Sequence, residues 1–317
     1  MGDLFFVADI GGTSVKAGLY DKEDGLIIKD AFVTDKSLSY KKIISDTAAC
    51  AHELLRRVGI DIKRVKAVGV GIPGLPNRET GEAAVCPNLS WLDVPFSIEM
   101  AKHISAPVYI ENDANLAALA EHTVGACKGW RHSMTVTLGT GVGSGIIIDN
   151  CLFTGSRGAG AELGHITLVY GGEKCGCGKS GCLERYCSAS ALACMGKEEA
   201  EKDGSSLMNA AKEGITPKTV ISCAKSGDKA AGRAFSKYVD YLSHGLLSAV
   251  SLFDTEIIAL GGGLSHAGEI LFNPVRERMA QMRMYKNMEL LKVVPAVLGN
   301  DAGLVGAGLL CALKEKA

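Results

Sequence analysis

Apolar side chains recur along the chain with two different periods, and these periods predict helices and strands in mixed order. Helical spacing predicts helices over 40–58 and 115–123 and a buried helical stripe from Phe235 to Val250. Short apolar runs predict buried strands in three places: 65–70, 107–110 and 256–260. Strands and helices that alternate in this way are typical of an α/β protein.

A strand, a glycine-rich turn and a second strand occur together twice, at an offset of 128 residues. The first copy holds Asp9-Ile-Gly-Gly-Thr13 and ends at Asp21. The second copy runs from Thr137 through a glycine-rich turn to Gly145 and ends at Asp149. Because both copies combine apolar strands with the same kind of turn, they predict two related lobes in one chain.

The composition is that of a globular chain with room for two hydrophobic cores, since 47% of its 317 residues are hydrophobic and 22% are charged. A net charge of −1 and the lack of a Lys/Arg-rich run argue against a nucleic-acid partner. No run of 18 apolar residues is present and the apolar start is too short for a secretion signal, so no membrane partner is expected. Eleven cysteines then indicate a reducing compartment, and we expect a cytoplasmic protein.

A histidine and three cysteines are closely spaced in a glycine-rich stretch: His165, Cys175, Cys177 and Cys182. One imidazole and three thiolates complete the tetrahedral shell that Zn²⁺ prefers, which leaves no open position for a reactive water. We therefore predict a structural zinc site that shapes a substrate loop over 165–187. Cys187 is an alternative ligand, and thiols crowded by chance are the alternative to a metal site. Glu162 and Glu184 flank the cluster, so the zinc loop is expected to direct both carboxylates into one pocket.

The two glycine-rich turns are candidate phosphate sites, because a backbone without side chains lets several N–H groups converge on an anion. Each turn by itself is better explained as an ordinary tight hairpin, and only their pairing favours a bound polyphosphate. Asp9 lies at the first turn and is a candidate ligand of Mg²⁺, directly or through water. The alternative for Asp9 is a surface aspartate of a turn.

Asp113 is the candidate catalytic base. It lies in Glu111-Asn-Asp-Ala-Asn115, where the apolar strand at 107–110 ends and a helix begins, the usual position of ligand-binding groups in open α/β sheets. A carboxylate there can accept the proton of an attacking hydroxyl in phosphoryl transfer, while Asn112 binds a neighbouring hydroxyl. The alternative role for Asp113 is the N-cap of that helix.

Six motifs in a fixed order carry a family resemblance. They are Ala8-Asp-Ile-Gly-Gly-Thr13, Gly71-Ile-Pro-Gly74, Glu111-Asn-Asp-Ala-Asn115, Leu138-Gly-Thr-Gly141, Glu162-Leu-Gly-His165 and Cys175-x-Cys-Gly-x-x-Gly-Cys-x-Glu184. Over nearly its whole length the chain resembles the ROK (repressor, open reading frame, kinase) family of sugar kinases, and most of all its bacterial glucokinases. Ser144 departs from the pattern, since many relatives carry another glycine there.

The resemblance implies an α/β architecture, the actin-like ATPase fold, with two ribonuclease-H-like lobes and with ATP and sugar in the cleft between them. We expect an N-terminal lobe over 1–115 and a C-terminal lobe over 116–300 that carries the zinc loop. A helix over about 301–317 is expected to pack back on the N-terminal lobe.

The resemblance also implies roles for individual residues. Asp113 is the base that activates the 6-hydroxyl of a hexose, and His165 ligates zinc through one ring nitrogen and contacts the sugar through the other. The sugar-binding residues are Gly74 and Asn88, in a predicted loop over 71–91, with Asn112, Asp113, Glu162, His165 and Glu184. The residues that bind the nucleotide and its Mg²⁺ are Asp9, Gly11, Gly12, Thr13, Lys16, Gly139, Thr140, Gly141, Gly261, Gly262 and Gly263.

The implied reaction is the ATP- and Mg²⁺-dependent phosphorylation of a hexose, with glucose preferred and with a structural Zn²⁺. Kinases of N-acetylmannosamine, fructose and allose share the same motifs, so these sugars stay alternatives. A non-catalytic sugar sensor is the alternative of another class. The family's repressors carry a winged-helix module ahead of the first strand, and a first strand that starts by about residue 4 leaves no room for one. A homodimer or higher homo-oligomer is also implied.

Overall fold

The chain forms two compact units, and the computed structural model describes residues 2–210, 214–285 and 291–316. Unit 1 comprises Met1–Val124, Leu152–Gly160 and Asn300–Ala317, and unit 2 comprises Gly125–Cys151 and Ala161–Gly299. The division predicted after residue 115 therefore differs from the observed one at Val124. The difference arises because the helix that follows Asn112 packs within unit 1 along its whole length.

The described residues form strands and helices in mixed order, as the sequence predicts. The strands are β1 Leu4–Ile10, β2 Ser14–Asp21, β3 Gly25–Val33, β4 Val65–Ile72, β5 Leu75–Asn77, β6 Glu82–Cys86, β7 Trp91–Val94, β8 Val108–Asn112, β9 Ser133–Leu138, β10 Val142–Ile148, β11 Cys151–Phe153, β12 Ile257–Gly261 and β13 Lys292–Pro295. The helices are α1 Tyr40–Val58, α2 Phe96–Ala101, α3 Asp113–Thr123, α4 Glu184–Cys187, α5 Ala189–Lys202, α6 Pro217–Lys225, α7 Lys229–Phe253, α8 Glu269–Met282 and α9 Ala302–Lys314. Within the described ranges, every helix is too short or too polar to cross a membrane.

Two five-stranded sheets share one arrangement. Their strand orders are β3-β2-β1-β4-β8 and β11-β10-β9-β12-β13. In each sheet the first strand of an antiparallel hairpin, β1 or β9, also pairs in parallel with β4 or β12, and this strand in turn pairs in parallel with β8 or β13. The repeated order confirms the duplication that the two glycine-turn motifs predict.

Helix α1 shows how local signals set an element of unit 1. Its bounds are those that the apolar spacing predicts, and its buried face includes Ile44 and Leu54. The Ser39 side chain caps the first turn by accepting a hydrogen bond from the Lys42 N–H. Gly59 ends the helix in the left-handed conformation, at φ 69°, which glycine adopts without steric cost. The buried face packs on the β-sheet of unit 1, where it completes the hydrophobic core.

The core of unit 2 forms along helix α7. Phe235, Val239, Leu242 and Leu246 are buried, as the helical stripe predicts. Tyr238 is fully buried and donates its hydroxyl hydrogen to the Cys187 carbonyl at 2.9 Å, so its polar end is satisfied. The stripe thereby joins α7 to the strands β9, β10 and β12 in one cluster.

Helix α9 belongs to unit 1 and packs closely because its contact face carries glycines. A β carbon added at Gly306 would lie 2.0 Å from the Leu116 carbonyl oxygen of α3. Likewise, a β carbon added at Gly69 of β4 would lie 2.4 Å from the Ala307 carbonyl oxygen. The helix begins at Ala302 and ends at Lys314. The last predicted helical position, residue 317, lies outside the described residues.

The segment 71–91, predicted as a loop, is a small antiparallel sheet of order β5-β6-β7. The prediction was wrong because these strands have only three to five residues, too few for an alternating pattern to show. Buried Trp91 and Val94 of β7 join the core of unit 1. Gly74 lies directly before β5, and Asn88 lies in the 3-10 turn Pro87–Leu89 between β6 and β7.

Candidate functional site

The carboxyl ends of three parallel strands in unit 1 bring Asp9 and Asp113 to one edge of the sheet. Asp9 of β1 lies opposite Gly71 of β4, and Gly71 lies opposite Glu111 of β8, two residues before Asp113. A β carbon added at Gly71 would lie 3.4 Å from Asp9 Oδ1 and 3.7 Å from Asp113 Cα. It would also lie 3.0 Å from Leu116 Cδ1, so the absence of a side chain at Gly71 lets β4 approach both aspartates closely, at the edge where open α/β sheets bind ligands.

Asn112, and not Asp113, caps helix α3. Asn112 Oδ1 accepts hydrogen bonds from the N–H groups of Ala114 and Asn115 at 2.9 and 3.1 Å. Asp113 is the first helical residue. Asn112 Nδ2 donates to the Gly74 carbonyl at 3.1 Å, so two of the predicted sugar-binding residues are in contact.

Glu111 organises the residues around the candidate base, a role that the sequence analysis missed. Its side chain is 3% exposed and forms a two-point ion pair with Arg78, with Arg78 Nε 2.6 Å from Glu111 Oε2. Glu111 Oε1 also accepts from the Asn112 N–H at 2.8 Å and from Asn115 Nδ2 at 2.9 Å. Arg78 Nη1 donates to the Gly158 carbonyl at 3.3 Å. The pair therefore ties the start of α3 to the 152–160 segment of unit 1.

Asp9 is a largely buried carboxylate paired with Lys16. Its side chain is 18% exposed, and Oδ2 lies 3.4 Å from Lys16 Nζ. Burial raises the pKa of Asp9, and the charge and hydrogen bond of Lys16 oppose that effect. Lys16 Nζ also donates to the Asn300 carbonyl at 3.2 Å. A β carbon added at Gly303 would lie 2.8 Å from Asp9 Oδ2, so the first turn of α9 lies against the carboxylate.

The first glycine turn, residues 11–13, joins β1 to β2 as predicted. The Gly11 N–H donates to the Ser14 carbonyl at 2.9 Å, and Thr34 Oγ1 donates to the Gly11 carbonyl at 2.8 Å. A β carbon added at Gly12 would lie 3.2 Å from the carbonyl oxygen of Asn88, which is exposed. The turn is therefore held at both ends and brings Asn88 close to the predicted phosphate site.

The second glycine turn, residues 139–141, contacts Glu184 of α4 in unit 2. The Val142 N–H donates to Glu184 Oε2 at 3.0 Å. A β carbon added at Gly141 would lie 2.4 Å from the same oxygen, so only glycine admits the carboxylate here. The Gly139 carbonyl accepts from the Ala189 N–H at 2.8 Å. A predicted sugar-binding residue and a predicted phosphate turn are thus in direct contact, which the sequence does not reveal.

Residues Gly261, Gly262 and Gly263 lie beside the strand that leads into this turn. Gly261 is opposite Thr137 in the register of β12 and β9. Gly262 has φ 81°, and a β carbon there would lie 2.5 Å from the Leu138 carbonyl oxygen. Gly262 and Gly263 are exposed. Unit 2 therefore places two glycine segments next to each other at the carboxyl edge of its parallel strands.

Glu162 and His165 bound a short segment that rests on strand β10. Glu162 is exposed and precedes a 3-10 turn over Leu163–His165. A β carbon added at Gly164 would lie 2.1 Å from the Val142 carbonyl oxygen, which shows how closely the segment approaches the strand. The segment leads directly into the predicted metal loop.

The four predicted metal ligands come together. The ligand atoms of His165, Cys175, Cys177 and Cys182 all lie within 4.8 Å of one another. Cys175 Sγ is 3.7 Å from His165 Nδ1, and Cys177 Sγ is 3.6 Å from Cys182 Sγ. Sulfur atoms bound tetrahedrally at about 2.3 Å from one zinc ion would be separated by about 3.8 Å. The donor set and its spacing therefore fit a closed zinc site.

The thiols of the cluster differ in the direction in which their pKa values are shifted. Burial raises the pKa of Cys182 to about 12, so this sulfur keeps its proton at neutral pH unless a cation displaces it. The backbone N–H of Lys179 lowers the pKa of Cys177. Cys187, the alternative ligand, is a buried core residue outside the four-residue group. Its pKa is raised by burial, as expected for an inert thiol.

Comparisons with known proteins agree with these features. The ROK family model matches residues 6–314. The glucokinase of Thermotoga maritima is 36% identical, with 97% of this chain and 96% of that protein covered. The crystal structure of a ROK family glucokinase from Streptomyces griseus in complex with glucose and AMPPNP is 34% identical, with a TM-score of 0.82 and coverage of 97% and 98%. A ROK hexokinase from Thermus thermophilus is 31% identical, with a TM-score of 0.83 and coverage of 99% of each chain.

These similarities confirm the predicted actin-like α/β fold. They also confirm the resemblance drawn from the six motifs, because the matched region contains all of them. The chain belongs to the ROK family.

Proposed function

We propose that the protein is a hexose kinase that transfers the γ-phosphoryl group of ATP to the 6-hydroxyl of its substrate, with glucose preferred. The related glucokinases support the sugar, and the complex of the Streptomyces griseus enzyme with glucose and AMPPNP supports the nucleotide. The observation that carries the proposal is the position of Asp113, at the N-terminus of α3 and beside Asp9 at the edge of three parallel strands.

Asp113 is assigned as the general base. It accepts the proton of the 6-hydroxyl while the hydroxyl oxygen forms a bond to the γ-phosphorus. The bond from this phosphorus to the oxygen that bridges to the β-phosphorus breaks, and ADP leaves with that electron pair. Asn112 retains a second amide hydrogen beyond its bond to Gly74, and this donor is assigned to a sugar hydroxyl.

Asp9 and the two glycine turns are assigned to the nucleotide. The Asp9 carboxylate would hold Mg²⁺, which supplies neutralisation of the phosphate charge when it is bound. Lys16 lies beside Asp9 and adds positive charge at the same turn. The exposed backbone of residues 11–13 and 139–141 supplies N–H donors to phosphate, and Gly261–Gly263 allow close approach of the adenosine.

Zinc is assigned a structural role in unit 2. His165 turns Nδ1 towards Cys175 Sγ, so Nε2 is left to contact a sugar hydroxyl. Glu162 and Glu184 precede and follow the metal ligands and supply acceptors for further hydroxyls. The Val142 N–H bond to Glu184 Oε2 supports this assignment, because it fixes one oxygen of the carboxylate. The other oxygen, Oε1, lies 4.0 Å from Cys175 Sγ, one of the metal ligands.

The test is a coupled assay of ADP release from Mg-ATP with glucose, N-acetylmannosamine, fructose, mannose and allose. We expect glucose to give the highest kcat/KM. If another sugar gave the highest kcat/KM, that sugar would replace glucose as the proposed substrate, and the proposed reaction would stand. Binding of a sugar by calorimetry without turnover of any of the five would instead favour a non-catalytic sensor and contradict the proposal.

Asp113→Asn tests the base in the same assay. The amide cannot accept the proton, so we expect kcat to fall by about 100-fold or more, while calorimetry shows glucose affinity within about threefold of wild type. Asp46→Asn, at a partly exposed position of helix α1, is the matched control and should keep full activity. Near wild-type turnover of Asp113→Asn would remove Asp113 from this role.

A further inference from the structure

Ser144 contacts both ends of the turn that presents Glu162. Ser144 lies on β10, and its side chain is buried, with the residue 7% exposed. Its hydroxyl donates to the Ala161 carbonyl and accepts from the Leu163 N–H at 3.1 Å. One hydroxyl therefore bridges the residues immediately before and after a predicted substrate ligand.

The turn itself has an unusual backbone. The Leu163 N–H donates to the Ala161 carbonyl at 2.9 Å, and Glu162 between them has φ −78° and ψ 61°. These are the angles of an inverse γ-turn. Ala161 has φ 65°, in the left-handed region where a β carbon is disfavoured. The sequence at this point therefore does not select the observed conformation, and another interaction must hold it.

Strand β10 supplies that interaction and also orients the second glutamate. Gly164 packs directly on the Val142 carbonyl, so the chain after the turn is fixed to the same strand. The Val142 N–H holds Glu184, two residues along the strand from Ser144. The backbone of one strand and one buried hydroxyl thus set the positions of both carboxylates.

We propose that the Ser144 hydroxyl holds Ala161 in its left-handed conformation and thereby directs Glu162 to the sugar, which makes Ser144 a positioning residue for substrate binding. The assignment of sugar as the ligand of Glu162 rests on the proposed kinase function. A glycine at position 144 would lack the hydroxyl that stabilises a non-glycine residue at 161.

The kinetic test uses Ser144→Ala alone and combined with Ala161→Gly. Loss of the hydroxyl should raise the KM for the sugar by about 5- to 30-fold, the factor that one or two hydrogen bonds of this kind supply. The kcat and the KM for ATP should stay within about threefold. Because glycine adopts φ 65° without strain, the double variant should recover a sugar KM within about threefold of wild type.

A matched control separates this effect from general stabilisation. Asp254 ends helix α7 with φ 44° in the same unit, so Asp254→Gly relieves left-handed strain away from the turn. Combined with Ser144→Ala, it should leave the sugar KM as high as in Ser144→Ala. Equal rescue by Asp254→Gly and Ala161→Gly would overturn the proposal, as would a wild-type sugar KM in Ser144→Ala.

Hydrogen exchange provides a readout that needs no sugar. The Leu163 amide should exchange about tenfold faster in Ser144→Ala and return towards the wild-type rate in the double variant with Ala161→Gly. If the wild-type protein phosphorylates no hexose, the kinase proposal fails and this exchange pattern still decides whether Ser144 holds the turn. If Ser144→Ala does not fold, Ala161→Gly is compared with the double variant, and a difference above about threefold in sugar KM or in Leu163 exchange would contradict the proposal.

Discussion

Asp9 is a carboxylate held where the folded protein disfavours its charge. Burial raises its pKa above the ordinary value, with Lys16 opposing. The folded state therefore binds this proton more tightly than the unfolded state, and the stabilisation is fully present below the ordinary carboxyl pKa. This stabilisation is lost as the pH rises through the raised pKa of Asp9. At neutral pH the ionised Asp9 carboxylate therefore lowers the free energy of unfolding of the unliganded protein.

Asp9→Asn should therefore increase the free energy of unfolding at about pH 7.5, and this gain should shrink as the pH falls towards about 4. The variant should at the same time lose most of its kinase activity, because it lacks the carboxylate that we propose as the Mg²⁺ ligand. Urea unfolding across this pH range measures the first effect. Asp46→Asn, which breaks an exposed pair with Lys42, serves as the control, and an equal gain there would contradict the explanation.

Arg78 and Glu111 form an ion pair whose two partners are 33 residues apart in sequence. Arg78→Ala leaves the buried Glu111 carboxylate without its guanidinium, and we expect a loss of about 3 kcal/mol in the free energy of unfolding. Chemical denaturation at neutral pH measures the loss. Arg56→Ala, which removes an exposed partner of Glu53 on α1, should leave stability unchanged. Similar losses in the two variants would show that the Arg78–Glu111 pair stabilises the protein no more than an exposed ion pair does.

At the residue scale, the sequence predicts the candidate catalytic and ligand-binding side chains better than it predicts the residues that hold these side chains in position. Asp9, Asp113 and the four metal ligands stand in motifs whose residue types already indicate what they can bind. The partners Arg78 and Ser144 carry no such signal, because an arginine in a turn and a serine in a strand are common. The roles of Arg78 and Ser144 depend on contacts with residues that are distant in the sequence. The sequence alone does not show which residues make these contacts.

The loop over 165–187 is expected to depend on the zinc ion that we propose for its four ligands. Chelation of zinc should lower sugar affinity by about tenfold or more and make this loop sensitive to protease before the rest of unit 2 unfolds. Metal analysis, calorimetry and limited proteolysis measure the three quantities. Cys177→Ser should reproduce the effect, whereas Cys194→Ser, at an exposed cysteine of α5, should not. Unchanged sugar affinity in verified metal-free protein would contradict this role.

Helix α9 depends on a glycine face. Gly306→Ala would place a β carbon 2.0 Å from the Leu116 carbonyl oxygen, so α3 and α9 must separate. We expect a loss of about 1–3 kcal/mol in the free energy of unfolding. Gly232→Ala in helix α7 meets no atom within 4 Å among the described residues and should instead stabilise the protein by about 0.5–1 kcal/mol. Thermal and urea unfolding of both variants check the opposite signs.

At the element scale, long periodic segments are predictable and short ones are not. Helix α1 has the predicted bounds because its apolar spacing, its serine cap and its terminal glycine all agree. Strands β5, β6 and β7 were missed because they are defined by pairing with one another rather than by a pattern of their own. The burial of β6 and β7 side chains in the core of unit 1 stabilises them as strands.

At the scale of the whole molecule, the sequence by itself determined the α/β class, the duplicated sheet arrangement, the family and the donor set for a metal. The class and the duplication follow from periodicity and from a motif repeated at an offset of 128 residues, and the donor set follows from residue types at short spacing. The family follows from the resemblance carried by the six motifs. All of these features are visible in the order of the residues alone. The homo-oligomer implied by the family stays a prediction.

The tertiary structure alone decided where unit 1 ends, that Asn112 rather than Asp113 caps α3, and that Glu184 reaches the second glycine turn. It also decided that the Ser144 hydroxyl forms hydrogen bonds with both ends of the turn that contains Glu162. The physical reason is common to all four. Each depends on packing or hydrogen bonding whose geometry is fixed only when the elements have assembled, whereas the local sequence permits more than one outcome.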